Sequence, residues 1–366
     1  MTSTPQTSRR NLLRGAALTA GVAGLPFASL ATRSEGATAA SAVFSDAGYG
    51  PLLPAIDRAT GLQLISLPRG FEYLSYGWTN DLMSDGTPTP SAHDGMGAYR
   101  LGDPVHIVRN HERNPSAAFT QPAYNPLGGG GTSTIVFDPE AGAFTESWGS
   151  LGGTVRNCAG GVTPWGTWLT CEETFSEAGG MRHGYVFEVP PTGKGNPAPY
   201  KAMGRFNHEA AAIDPATGIV YETEDRGDAC MYRFVPTTPG KLADGGRLQA
   251  LAIGAVGVDT RAAGSGTAFG SVHWVDIDEP DPANDTVRRE AQGKGAAIFS
   301  RLEGAWYGNG RIYVITTDGG PARRGPGLRA RPGHRRADRA LRLAERRGAQ
   351  RARQHVREPA RRPGAL

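Results

Sequence analysis

A cysteine, an arginine and two adjacent glutamates share one short stretch, Gly153–Phe175, which runs GTVRNCAGGVTPWGTWLTCEETF. Arg156 and Asn157 precede Cys158, and Glu172 and Glu173 follow a rigid turn built from Gly, Pro and Trp. A thiolate is a soft metal ligand and a carboxylate a hard one, so this stretch offers a cation both kinds of donor. Arg156 beside them could hold an oxyanion. The alternative is a small buried cysteine among solvated glutamates, and on residue chemistry alone the two readings stand level.

A second acidic centre is Tyr221-Glu222-Thr223-Glu224-Asp225-Arg226. Side chains alternate along a strand, so Glu222 and Glu224 share a face, where their charges repel unless a cation or water separates them. Ile219 and Val220 just before them argue for burial, hence for a cation, and hard oxygen donors suit calcium. Arg301 and Glu303 would also share a face, pairing a phosphate clamp with a metal ligand, or forming a surface ion pair. His111 and Glu112 emerge at the end of a predicted strand, Val105–Asn110, where such a pair could bind metal, orient a phosphate or be purely structural. The acidic run between Asp259 and Thr286 lacks the glycine and spacing of a calcium loop and is expected to be solvated. Gly128–Gly131 precede β-branched residues rather than a helix, so they lead into a strand and cradle no phosphate. There is no GxSxG and no Ser/His/Asp set to supply a side-chain nucleophile.

The elements that must position these residues are short strands. With 52 Gly, 27 Pro and no sustained helical periodicity, the 366 residues favour an all-β sandwich, barrel or propeller. Strands are expected at Leu62–Leu67 and Phe71–Gly77, then a long polar loop from Thr79 to Gly97. Asp138-Pro-Glu-Ala-Gly142 and Asp214-Pro-Ala-Thr-Gly218 each join two strands, which is the rhythm of a propeller hairpin.

Charge is unevenly spread. Residues 322–366 hold 15 Arg against 3 acids and residues 1–39 hold 4 Arg and 1 Glu, so the overall +4 leaves residues 40–321 at −11. An acidic body suits bound cations and excludes nucleic acid as a partner. Arg9-Arg10 before the apolar run Ala16–Leu30, with Ala37-Thr38-Ala39 after it, predicts a twin-arginine signal over 1–39 and no stable membrane anchor. Three cysteines make no disulfide framework. Beyond Pro321 the chain has no Lys, Ile, Phe, Tyr or Trp and loses strand periodicity. A reading-frame shift in a GC-rich gene explains this better than a basic tail, because residues 351–359 are codon-compatible, one base over, with APDNMCVSP.

RNCAGGVTPWGTWLTCEET resembles the signature block of the PhoX-type secreted alkaline phosphatases. HDGMGAY, VRNHE, GGGGTSTIVFD, HEAAAID, YETED and RLEGAWYGNGRIYV extend the resemblance, in order, over roughly residues 45–321. It implies a six-bladed β-propeller, incomplete here over 40–321, and a phosphomonoesterase using Ca2+ and Fe3+. Carried over, Cys158, Glu222 and Glu303 are the expected metal ligands, with Glu173 next and Glu172, Glu224 and Asp225 after them. Arg301, then Arg156 and Asn157, would hold phosphate oxygens. Small phosphoesters and the twin-arginine export machinery would be the partners of a monomer, placed in the periplasm, at the cell wall or outside. A secreted metal-binding propeller without turnover is the alternative. The chain as written is expected to be poorly stable or inactive, and a chain with its frame restored after Pro321 to release phosphate. Full metal-dependent turnover by the chain ending at Leu366 would contradict that.

Overall fold

The computed structural model describes residues 49–254, 257–264 and 266–320, and the backbone of strands Gly327–Ala330 and Arg342–Ala344. The signal expected over 1–39 and most of the segment read as out of frame lie outside the described residues. The described residues divide into two compact units, parting after Tyr76.

The first unit contains an antiparallel hairpin, β1 (Leu52–Ile56) and β2 (Gln63–Pro68). Its hub is Asp57, which accepts hydrogen bonds from Thr60 Oγ1 at 2.6 Å, Ser75 N at 2.8 Å and Ser75 Oγ at 2.5 Å. Phe71–Gly77 is not the strand expected. It makes one bridge, at Tyr73, whose hydroxyl is taken up by Leu62 O and Leu64 N at the hairpin turn.

The second unit holds four antiparallel sheets that follow one another along the chain. The first comprises β3 (His93–Arg100), β4 (Val105–His111), β5 (Gly130–Asp138) and β6 (Ala143–Thr154). The second pairs β7 (Asn157–Val162), β8 (Trp168–Glu172) and β11 (Val186–Val189), with the two-residue strands β9 (Glu177–Ala178) and β10 (Met181–Arg182) as a separate ribbon. The third runs through β12 (His208–Ile213), β13 (Val220–Glu224), β14 (Tyr232–Pro236), β15 (Gly246–Ile253) and β16 (Val272–Asp276). The fourth has β17 (Leu302–Gly308), β18 (Arg311–Thr316), β19 (Gly327–Ala330) and β20 (Arg342–Ala344). Both Asp-Pro-x-x-Gly segments are turns as expected. Asp138 accepts from Glu140 N and Ala141 N, Asp214 from Ala216 N and Thr217 Oγ1, and Gly142 and Gly218 take positive φ.

Successive sheets pack face to face, as propeller blades do. Val108 and Leu151 of the first meet Trp168, Tyr185 and Phe187 of the second. Leu169 and Val186 of the second meet Ile213, Val220 and Phe234 of the third. Tyr221, Met231 and Leu251 of the third meet Leu302, Ile312 and Val314 of the fourth. Four such sheets lie among the described residues, against the six blades that the resemblance implies. A short helix, α1 (Val287–Gly293), closes a further apolar cluster on the third sheet through Val287 and Ala291.

The first strand of each sheet lies at its edge, and these strands pack side by side: β3 on β7, β7 on β12, β12 on β17. The Thr79–Gly97 loop therefore ends sooner than expected, because His93-Asp94-Gly95-Met96-Gly97 is an inner strand whose two glycines hide its periodicity. A Cβ on Gly95 would lie 2.8 Å from Cys158 O and 2.9 Å from Ala159 Cα, which are backbone and cannot rotate away. Gly95→Ala should therefore destabilise the protein by about 1–3 kcal/mol, measured as a shift in denaturant midpoint. Gly227→Ala, with open space around it, should change little. Equal midpoints would show that β3 and β7 are not packed this closely.

Candidate metal and anion site

The four inner strands are bulged at the same place. Pairing jumps from His93 to Met96 in β3, from Asn157 to Gly160 in β7, from His208 to Ala211 in β12 and from Leu302 to Ala305 in β17. The first residue of each bulge is Asp94, Cys158, Glu209 or Glu303, and the second is Gly or Ala. The second strand of each sheet then delivers the residue just past its last partner: Glu112, Glu173, Asp225 and Thr317. Their amides donate to Ala92 O (2.8 Å), Arg156 O (2.9 Å), Asn207 O (3.2 Å) and Arg301 O (3.1 Å), respectively. Bulges re-aim side chains; here they turn two functional groups per sheet toward one axis.

Three of the four residues that stand two places before a bulge residue take left-handed backbone: Ala92 at φ 55°, Arg156 at 54° and Arg301 at 46°. Such conformations are uncommon outside glycine and cluster at ligand sites. Both arginines expected to clamp phosphate are among them.

Donor atoms of Cys158, Glu173 and Glu209 lie within 4.8 Å of one another, and Cys158 Sγ is 2.9 Å from Glu209 Oε2. Arg156 Nη2 contacts Glu173 and is 2.6 Å from Glu112 Oε1, while its Nε donates to Glu173 O at 3.1 Å. On the other side Arg301 grips Asp225 through Nε at 2.9 Å and Nη2 at 2.8 Å, and Nη2 also reaches Glu303 Oε1 at 2.9 Å. Each arginine thus joins carboxylates from two neighbouring sheets.

Six carboxylates and a thiol surround two guanidinium groups, and titration reflects that excess. Burial, then the charges of Glu303, Glu173 and Asp225, push Glu209 up to about 8, against the pull of its Cys158 contact. Burial raises Asp94, with Glu112 and Glu303 adding to it. Burial also raises Glu173 despite Arg156, and raises Glu303, helped by Asp225. Burial and the Glu209 carboxylate push the Cys158 thiol well up. A cation between these groups would reverse every one of these costs.

Of the residues nominated from sequence, the structure gathers Arg156, Cys158, Glu173, Asp225, Arg301 and Glu303 here. It does not gather Glu172, Glu222, Glu224 or Asn157. Glu172 is fully buried, and its two oxygens accept from Val155 N, His183 Nδ1, Gly184 N and Tyr185 N at 2.7–3.0 Å. Glu222 faces His208 Nδ1 at 3.3 Å between the second and third sheets. Glu224 accepts from Cys230 N and Tyr232 Oη, both at 3.1 Å, with Arg288 at 3.5 Å. Asn157 is bound by Thr154 and Thr170. His111 is likewise a core residue, held by Ser91 O and Ser133 Oγ. In the acidic run expected to be solvated, Asp281 accepts from Tyr185 Oη at 2.8 Å and Asp285 pairs with Arg288 at 2.6 Å. Glu209 and Asp94 were not read from sequence, whereas Glu112, nominated there with His111, does reach the cluster through Arg156. The signal for them is the acid or cysteine followed by Gly or Ala that opens each inner strand, with a partner 14 to 18 residues later.

The family model described as alkaline phosphatase PhoX matches residues 139–354, more than half of the chain. Among solved structures the chain is similar to Pseudomonas fluorescens PhoX in complex with vanadate, a transition state analogue. The TM-score is 0.57 at 18% identity, covering 80% of this chain and 75% of that one. This likeness carries the fold, a β-propeller. Comparison with curated proteins finds no match.

The raised Glu209 has a consequence for stability. Between its ordinary 4.5 and about 8 the folded protein keeps a proton that the unfolded chain has lost, so stability of the metal-free protein falls as pH rises through that window. Urea midpoints of chelator-treated protein should drop from pH 5 to pH 8, and less steeply in Glu209→Gln. Parallel profiles for the two proteins would contradict the placement of Glu209 in this cluster.

Proposed function

Because the chain belongs to the alkaline phosphatase PhoX family, we propose that it is an exported, metal-dependent phosphomonoesterase that releases phosphate from small organic phosphoesters. The observation that carries this is the convergence of Cys158, Glu173 and Glu209 on one point between two inter-sheet arginines.

The donor chemistry fits cations of two kinds. Cys158 with Glu173 and Glu209 would hold ferric iron, and Asp94, Glu112, Asp225 and Glu303 supply the hard oxygens that calcium takes. When bound, such cations polarise a phosphoryl group and offset charge in its displacement. The chain's own part is positional. Arg156 and Arg301 are fixed by carboxylates on either side, so their guanidinium groups stand ready to orient phosphoryl oxygens without reorganising. Below about pH 8 Glu209 keeps its proton and the Cys158 thiol keeps its own; both must leave for the pair to become ligands, so metal uptake should strengthen with pH. Arg9-Arg10 and the apolar run after it support export, and among the described residues no helix is long and apolar enough to cross a membrane.

Phosphate release from an aryl phosphate by the chain with its frame restored after Pro321 tests the proposal, since the chain ending at Leu366 is expected to be poorly stable or inactive. A chelator and Cys158→Ala should each abolish turnover, and Arg301→Ala should raise KM by roughly 10–100-fold, the loss of a charge-assisted contact. Folded, metal-loaded protein that turns over no phosphoester would overturn it in favour of metal binding without catalysis.

A further inference from the structure

A bulge removes main-chain groups from the ladder, and inside a protein those groups must find other partners. Asn110 provides them for the bulge that carries Cys158. Its Nδ2 donates to Cys158 O at 3.1 Å and to Ala159 O at 2.8 Å, crossing from β4 of the first sheet to β7 of the second. The orientation of its amide is fixed, because Oδ1 accepts from Trp168 Nε1 and Thr170 Oγ1, both at 2.9 Å. Thr223 occupies the same place in the third sheet, two residues before Asp225 as Asn110 is two before Glu112. Its Oγ1 lies 2.7 Å from Glu303 O, crossing from β13 to the bulge of β17, and accepts from Ala210 N at 2.9 Å in the bulge of β12. Both side chains are at most 1% exposed.

We propose that Asn110 and Thr223 are positioning residues, each bracing the main chain of the next sheet's bulge and Thr223 also that of its own sheet, so that Cys158, Glu209 and Glu303 point at the axis. The proposal rests on the metal-phosphatase reading for what the axis does, but bracing itself is independent of turnover. Both residues reach main-chain atoms rather than the ligand side chains. Ordinary core hydrogen bonds would contribute only to stability, whereas these also set ligand geometry.

The test uses the full chain and four variants. Asn110→Asp keeps the volume and the acceptor facing Trp168 and Thr170, but turns an acceptor on two carbonyls. Thr223→Val keeps the shape and removes the hydroxyl, and Thr223→Ser restores it. Thr132→Val removes the buried Thr132–Ser150 hydroxyl pair, 2.8 Å apart in the first sheet, and reports the cost of a hydrogen bond outside the site. Iron and calcium retained after dialysis against graded chelator are measured by elemental analysis, with the alkylation rate of Cys158 in chelator-treated protein by peptide mass spectrometry. Asn110→Asp and Thr223→Val should lose about 10–100-fold in metal retention, the usual effect of removing a group that orients a ligand. Thr223→Ser and Thr132→Val should stay close to wild type. Alkylation should quicken in Asn110→Asp alone. Folded Asn110→Asp and Thr223→Val proteins that keep metal as Thr132→Val does would overturn the proposal. Frame-restored protein that retains metal without releasing phosphate would sink the phosphatase reading alone, and the retention ratios would still decide the bracing.

Discussion

Like charges brought to one axis are the constraint on which the rest of this molecule depends. At an effective dielectric of 20, two unit charges 4 Å apart repel by about 4 kcal/mol, and here Glu173 and Glu209 come within 4.8 Å of one another with Asp94, Glu112, Asp225 and Glu303 around them. Two arginines answer part of the excess, Arg156 between the first two sheets and Arg301 between the last two. Burial first, and then the charges left unanswered, keep Glu209 protonated up to about 8, and a cation would offset that cost.

The fold makes that arrangement with one device used four times. A regular strand would point successive side chains to alternate faces, into the packing between sheets. A two-residue bulge at the start of each inner strand instead turns one side chain along the axis, and the neighbouring second strand adds another. The second residue of each bulge is small, and at Gly95 the reason is that β3 and β7 nearly touch there, a Cβ lying 2.8 Å from Cys158 O. The apolar faces between sheets then hold the bulges at fixed distances, so the site's geometry is inherited from the core. The fourth sheet departs from the pattern, with Thr317 where the others carry a carboxylate.

Much of this was legible in the sequence. The Gly153–Phe175 block, the Asp-Pro-x-x-Gly turns and the twin acidic centres all lie where the fold uses them. Alternation correctly put Glu222 and Glu224 on one face. That face, however, is the one Val220 turns into the packing between sheets, where His208 and Arg288 partner them. The carboxylate that meets Cys158 is Glu209, just ahead of Ala210-Ala211-Ala212 with no strand-end signal to distinguish it. Glu172 stood as a candidate behind Glu173, and the backbone amides of Val155, Gly184 and Tyr185 show that it belongs to the scaffold. Periodicity alone cannot see a bulge, because a bulge is the place where periodicity breaks.

The central claim is that Cys158 and its neighbouring carboxylates hold one cation together. X-ray absorption at the iron edge of purified protein tests it most directly. The account predicts one sulfur scatterer among oxygens in the first coordination shell, lost in Cys158→Ser while the oxygens remain. A shell of oxygen and nitrogen alone in the wild-type protein would contradict it.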